Sequence, residues 1–199
     1  TPVVGMVGLI NDINRHCTMS FKDEGDLVFL LGGPSPLTDS CQLSTVSCDG
    51  LGGSEYLELV HSLVKGKPAI DLDLERRVQC CCLEAIRRGF VKSAHDCSEG
   101  GLAVAIAESC INGNIGFKGE DWKIAGRLDS AFFGEHHPTI IVSIPPKSIV
   151  KLNRIARRWR VPLTWLGEVG GKRLAVKGYI DLPLDRAKRA WLKCVMCNV

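Results

Sequence analysis

Apolar positions along the chain fall into two rhythms. Short continuous runs bounded by turn residues read as strands at 3–10, 16–21, 27–31, 91–94 and 139–144. Leu27-Val28-Phe29-Leu30-Leu31 has no polar break, which predicts a strand buried on both faces near the middle of a sheet. Residues 163–169 and 173–176, joined by Gly170-Gly171, read as a hairpin. Helical spacing appears in four other places. Ser54 caps a predicted helix reaching about Lys65. A second follows Asp71, with Asp73 and Glu75 in its first turn, Leu74, Val78, Cys81, Cys82, Ala85 and Ile86 on its buried face, and Gly89 as its stop. Residues 147–160 put Ile149, Leu152, Ile155, Ala156 and Trp159 inward and Lys151, Arg154 and Arg158 outward; residues 184–194 form a further helix. A short helix is expected at 129–135, loops at 32–51 and 112–119, the first of them mobile.

The chain is organised around residues 91–110. The strand leads into a tight turn, His95-Asp96-Cys97-Ser98-Glu99, and Gly100-Gly101 opens a helix. Leu102 to Cys110 is apolar almost all round, with Glu108 its only charge, so it is expected at the centre of a domain. Asp96 and Ser98 are residue types that accept hydrogen bonds from free N–H groups at a helix start. Two glycines there allow close approach of another backbone or of a phosphate. Two readings stand side by side: a capped, glycine-packed core helix without a ligand, and an anion-binding turn.

Composition narrows the class. With 199 residues, 45% hydrophobic and 24% charged, the chain has the balance of an ordinary globular domain and enough length for a real core. No apolar run is long enough to span a membrane, and no basic-then-apolar signal segment opens the sequence. The chain starts Thr1-Pro2 without an initiator Met, so a piece of something longer is expected. Three of ten cysteines are consecutive, Cys80-Cys81-Cys82, inside a helical pattern, which fits reduced core thiols in a reducing compartment rather than a disulfide framework. The one C-x-x-C, at 194–197, has no second pair to complete a zinc site. Thirteen of the 25 Lys and Arg fall in residues 147–199, against only Glu168, Asp181 and Asp185, an asymmetry that raises an anionic partner. The spacing Gly113, Gly116, Gly119 neither follows a strand nor opens a helix, so it is no dinucleotide fingerprint.

Four stretches in register carry a resemblance. They are residues 1–12 (TPVVGMVGLIND), 21–26 (FKDEGD), 51–56 (LGGSEY) and 93–103 (SAHDCSEGGLA). Together they resemble the C-terminal domain of phosphoribosylformylglycinamidine synthase, synthetase component, within the superfamily of the aminoimidazole ribonucleotide synthase C-terminal domain. The resemblance runs nearly end to end and implies a single domain over 1–199. It implies an α/β (α+β) fold, a mixed β-sheet backed by helices and partly ferredoxin-like. It also implies membership of a cytoplasmic enzyme of purine biosynthesis. That enzyme uses ATP, Mg²⁺ and glutamine-derived ammonia: ATP phosphorylates an amide oxygen and ammonia displaces phosphate. The family's catalytic His and its Mg²⁺-binding carboxylates sit in domains absent here, so no catalytic or metal residue is carried over. The candidates for a phosphate or nucleotide pocket are Asp96, Ser98, Gly100 and Gly101, with Gly52, Gly53 and Ser54. Expected partners are the remaining synthetase domains, the glutaminase component and, through an exposed sheet, a second copy. This domain alone is expected to hold ATP or ADP weakly and to be inactive.

Two departures accompany the resemblance. The loop at 33–50 is longer than the family's, and the family's Phe-x-Glu-Ser, small residue, Arg is here Phe133-Gly134-Glu135-His136-His137-Pro138-Thr139: Glu135 is kept, the Ser and Arg are not. His136 and His137 read as a solvated turn. A competing reading, a nucleic-acid-binding module on the basic helix 147–160, lacks an exposed aromatic, since Trp159 lies on the apolar face. A stand-alone synthase fails for want of an N-terminal nucleotide-binding domain.

Overall fold

The computed structural model describes residues 5–33, 50–68, 70–120, 122, 124 and 127–196, the side chains of 194–196 excepted. The interior of the loop expected at 33–50, the opening Thr1 to Val4 and the C-x-x-C at 194–197 lie outside the described residues or side chains. In chain order the elements are β1 (Leu27–Gly32), α1 (Glu55–His61), α2 (Leu72–Arg87), β2 (Ser93–Asp96), α3 (Gly101–Gly113), β3 (Phe117–Gly119) and α4 (Leu128–Phe133). They continue with β4 (Thr139–Ile144), α5 (Ile149–Trp159), β5 (Leu163–Val169), β6 (Arg173–Val176), β7 (Ile180–Pro183) and α6 (Leu184–Met196).

The seven strands form one sheet in the order β2-β4-β1-β5-β3-β6-β7. It is mixed: β3 and β6 are parallel and the other pairs antiparallel. β1 has a strand on each side, as its unbroken apolar run predicts. Its alternate side chains serve two cores. Val28 and Leu30 pack with Leu102, Ala105, Ile106 and Cys110 of α3. Phe29 and Leu31 pack with Val78, Cys81, Cys82 and Ala85 of α2 and with Leu152, Ile155 and Ala156 of α5. Both faces of the strand are therefore dry, and neither position has a reason to be polar.

The helix faces follow the sequence pattern. Asp71 caps α2 through Oδ1, 3.0 Å from the N–H groups of Asp73 and Leu74, and Gly89 beyond the helix takes a left-handed φ of 72°. Residues 101–111 of α3 include no exposed position. α2 and α5 are joined by Glu84, which accepts from Arg158 Nη1 at 2.7 Å and from Trp159 Nε1 at 2.8 Å. Trp159 is thereby committed to the interhelical contact, while Lys147, Lys151, Arg154 and Arg157 are exposed. The four thiols of Cys81, Cys82, Cys97 and Cys110 are buried and free, and burial pushes each up to about 12.

Several expectations are corrected. Residues 5–10 form no strand and are exposed. His16 to Phe21 contributes only one isolated bridge, Thr18 to Ser93. α1 ends at His61, four residues short of Lys65, because Ser62 turns left-handed and its N–H closes on Glu58 and Leu57 carbonyls. The turn predicted at 95–99 begins later, since His95 and Asp96 pair with Ile141 and Ile140 in the sheet. The loop at 112–119 is instead the end of α3 plus strand β3. Most consequentially, β5 and β6 are not a hairpin. β3 lies between them, and Gly116 exchanges backbone hydrogen bonds with Gly170 and Gly171, both 2.8 Å. A three-residue strand is too short for a period to reveal, and so is invisible in the pattern.

The segment FKDEGD is structural. Phe21 is buried; the Gly25 N–H donates to Val169 O at 2.9 Å; buried Asp26 accepts from Lys92 Nζ at 2.8 Å, which also reaches Asp23 at 2.7 Å.

Candidate functional site

The two glycine-bearing turns singled out in the sequence meet at one side chain. Glu135 Oε1 accepts the Glu55 N–H at 2.9 Å and the Gly100 N–H at 3.0 Å. The start of α1 and the turn before α3 are thus fastened to the same carboxylate oxygen. Glu135 is itself fixed by its N–H, which donates to Gly50 O at 2.9 Å. The His136 ring fills the space over Gly50: a Cβ there would stand 2.2 Å from Cε1. That half-buried placement, with Nε2 3.3 Å from Ser130 O, corrects the solvated reading of His136, while His137 is exposed. Tyr56 of α1 stacks on Phe133, ring centroids 5.0 Å apart and 6° between planes.

Each turn has a backbone reason for its glycines. Gly53, Gly100 and Gly101 hold φ of 74°, 77° and 66°. Gly101 is also crowded, since a Cβ would meet Gly134 O at 2.6 Å and Phe133 C at 2.8 Å. A Cβ on Gly52 would stand 3.1 Å from Lys67 N and 3.3 Å from Gly66 Cα, closer than an ordinary contact. Ser54 is the α1 cap, as predicted: it is buried, its hydroxyl donates to Leu51 O at 2.7 Å and accepts from Leu57 N at 3.4 Å.

Asp96 and Ser98 do not cap α3, which corrects the expectation. The N-cap position is Gly100, with no side-chain cap, and the Gly101 N–H closes a turn on Ser98 O at 3.0 Å. The Ser98 hydroxyl donates instead to Asp96, and this bond holds the Asp96 carboxyl below the usual carboxylate range. Asp96 and Ser98 are exposed, with Glu99 beside them. Behind Asp96, His95 lies 2.8 Å from Glu108 Oε2 through Nε2 and 3.5 Å from Asp96 Oδ1 through Nδ1. The sequence reading missed two positioning groups here. Glu135 carried a signal as the retained residue of an otherwise altered motif; Glu108 carried one as the lone charge on an apolar helix.

The seven candidates therefore divide. Gly52, Gly53 and Ser54 shape a turn in which the Gly53 N–H donates to Lys65 O at 2.8 Å and the Ser54 N–H and hydroxyl both donate to Leu51 O. Asp96 and Ser98 present a carboxylate and a hydroxyl to solvent, on a loop whose glycines keep it tight. Carboxylate and hydroxyl oxygens suit Mg²⁺, which needs only one or two protein carboxylates when a phosphate supplies the rest. Among the described residues no cluster of three or more His, Cys, Asp or Glu could hold a metal. No helix among them is long and apolar enough to cross a membrane.

A mixed sheet covered by helices on both faces, with a glycine turn feeding a buried central helix, defines an α+β domain. Residues 23–178 match the family described as AIR synthase related protein, C-terminal domain, and the chain belongs to that family. Its curated relatives include phosphoribosylformylglycinamidine synthase subunit PurL of Thermomicrobium roseum, 46% identical over 195 residues, covering 96% of this chain and 25% of that protein. The Synechococcus subunit is 45% identical over 176 residues, covering 85% of this chain and 21% of that protein. The chain thus spans about a quarter of the length of the relatives it matches. Among solved structures, Thermotoga maritima PurL complexed with FGAR superposes with a TM-score of 0.69 at 17% identity, over 88% of this chain and 30% of that one. The complex of the same protein with ATP gives 0.65 at 16% identity, over 88% and 28%. At such identity the superposition shows the shared fold.

Proposed function

We propose that residues 1–199 are the C-terminal domain of an ATP- and glutamine-dependent phosphoribosylformylglycinamidine synthase of purine biosynthesis, and that the domain completes a nucleotide pocket shared with the rest of the polypeptide. The observation that carries this reading is the 46% identity to a PurL subunit across 96% of the chain. The enzyme is cytoplasmic, works with a glutaminase component, and as this domain alone is inactive.

The residues have distinct parts. Asp96 would hold Mg²⁺ beside a nucleotide, and Ser98, by donating to Asp96, orients that carboxylate. Bound Mg²⁺ neutralises phosphate charge and fixes phosphoryl oxygens. Gly100 and Gly101 keep the turn narrow enough for close approach. Gly52, Gly53 and Ser54 brace it through Glu135. Because Glu135 occupies the N–H groups of Gly100 and Glu55, those donors are spent within the protein. A phosphate would then be held through Mg²⁺ on the Asp96 carboxylate, which Ser98 orients, and not through a bare helix start.

The test is calorimetry of ADP with Mg²⁺ on the full-length enzyme carrying Asp96→Asn or Ser98→Ala. The expected outcome is a loss of affinity of roughly tenfold or more, the scale of one charge-assisted contact. Unchanged affinity and nucleotide content in both variants, with the fold intact, would leave the turn a structural element only.

A further inference from the structure

Residues 5–10 carry a sequence preference that nothing around them answers. Gly5-Met6-Val7-Gly8-Leu9-Ile10 is uncharged and strand-forming, yet Met6 is 91% exposed, Val7 103%, Leu9 89% and Ile10 65%. No backbone hydrogen bond joins residues 5–11 to another described residue. Contiguous exposed apolar side chains mark an interaction surface, and a strand with free N–H and C=O groups is a template for pairing.

The glycines make the same point independently. Gly5 and Gly8 have no left-handed φ, and a Cβ on either would meet nothing within 4 Å. Among the described residues neither conformation nor crowding calls for glycine there. Glycine inside a strand otherwise marks the close approach of another backbone. The chain's own sheet has two edges, β2 and β7, and no described residue of 5–10 pairs with either. The outer edge of β2 already meets Thr18, whose carbonyl accepts the Ala94 N–H at 3.2 Å. Between the two, Asp12 caps the turn at Ile13–Arg15 with its side chain on the Asn14 N–H at 2.9 Å.

We infer that residues 5–10 form a strand on the edge of a sheet lying outside this chain, in the remaining part of the same polypeptide, with Gly8 at the point of closest backbone approach. The occupant is set by length: the relatives are about four times as long as the region they share with this chain, so most of such a protein lies beyond it. The inference rests on family membership and is independent of the nucleotide pocket.

Hydrogen exchange on the 199-residue chain and on the full-length polypeptide tests it. The expected result is rapid exchange of residues 5–10 in the former and protection of about a hundredfold or more in the latter. Gly8→Val should leave the melting temperature of the 199-residue chain unchanged, because its side chain enters open space, and should abolish the protection in the longer protein. Rapid exchange in both proteins would overturn the inference. So would concentration-dependent protection in the 199-residue chain alone, which would make a second copy the occupant. Loss of nucleotide binding in Asp96→Asn would not affect either outcome.

Discussion

Glu135 accepts the backbone N–H of Gly100 at 3.0 Å, and the same oxygen accepts the N–H of Glu55. One carboxylate thus stands where a bound anion would stand, and it fastens together two turns that lie far apart in sequence.

Glu135→Ala should therefore be costly for a single truncation. Two backbone donors lose a charged acceptor, each worth about 1–3 kcal/mol when left unpaired, less whatever water restores. Urea unfolding is expected to show a loss of about 2 kcal/mol, with Glu135→Gln recovering part of it through its remaining carbonyl oxygen. An unchanged midpoint for Glu135→Ala would mean that the two turns are held by other contacts.

Gly101 tests the central helix. Any side chain there faces a φ of 66° and backbone atoms of Phe133 and Gly134 within 3 Å of its Cβ. Gly101→Ala is expected to lose at least ~1 kcal/mol from backbone strain, and Gly101→Val more, since overfilling a packed site adds about 1–3 kcal/mol. Thermal melting decides it; equal melting temperatures for wild type and Gly101→Val would contradict the close packing of α3 on the 133–134 backbone.

Glu84 gives the protein a pH-dependent seam between α2 and α5. Hydrogen bonds from Arg158 and Trp159 hold its carboxyl at about 2, below the ordinary value of 4.5. A depressed folded-state value means the proton binds the unfolded chain more readily. The contribution is present in full above about 4.5 and is lost as pH falls towards 2. Glu84→Gln should lower the melting temperature at pH 7 by a few degrees, an effect on the order of 1 kcal/mol. The difference from wild type should shrink steadily between pH 4.5 and pH 2. A gap that stays constant over that range would show that charge is not what Glu84 contributes.

The sequence by itself determined the elements whose signal is local. The run at 27–31 declared a central strand because each residue must be apolar when both faces are covered. Asp71, Ser54 and Gly89 declared helix ends because capping is a matter of one or two neighbouring residues. The four stretches that carry the family resemblance, and with them the Asp96–Ser98 turn, were legible for the same reason. Tertiary structure alone decided what depends on distant partners. β3 slipped between β5 and β6, turning an apparent hairpin into a parallel pairing, because three residues are too few to announce a strand. Neither Asp96 nor Ser98 caps α3: the Ser98 hydroxyl is committed to Asp96, and the N–H of the N-cap residue Gly100 goes to Glu135, a carboxylate 35 positions away. Residues 5–10 read as a strand and stand exposed, because a strand exists only where a neighbouring strand takes up its hydrogen bonds, and no described strand of this chain does so.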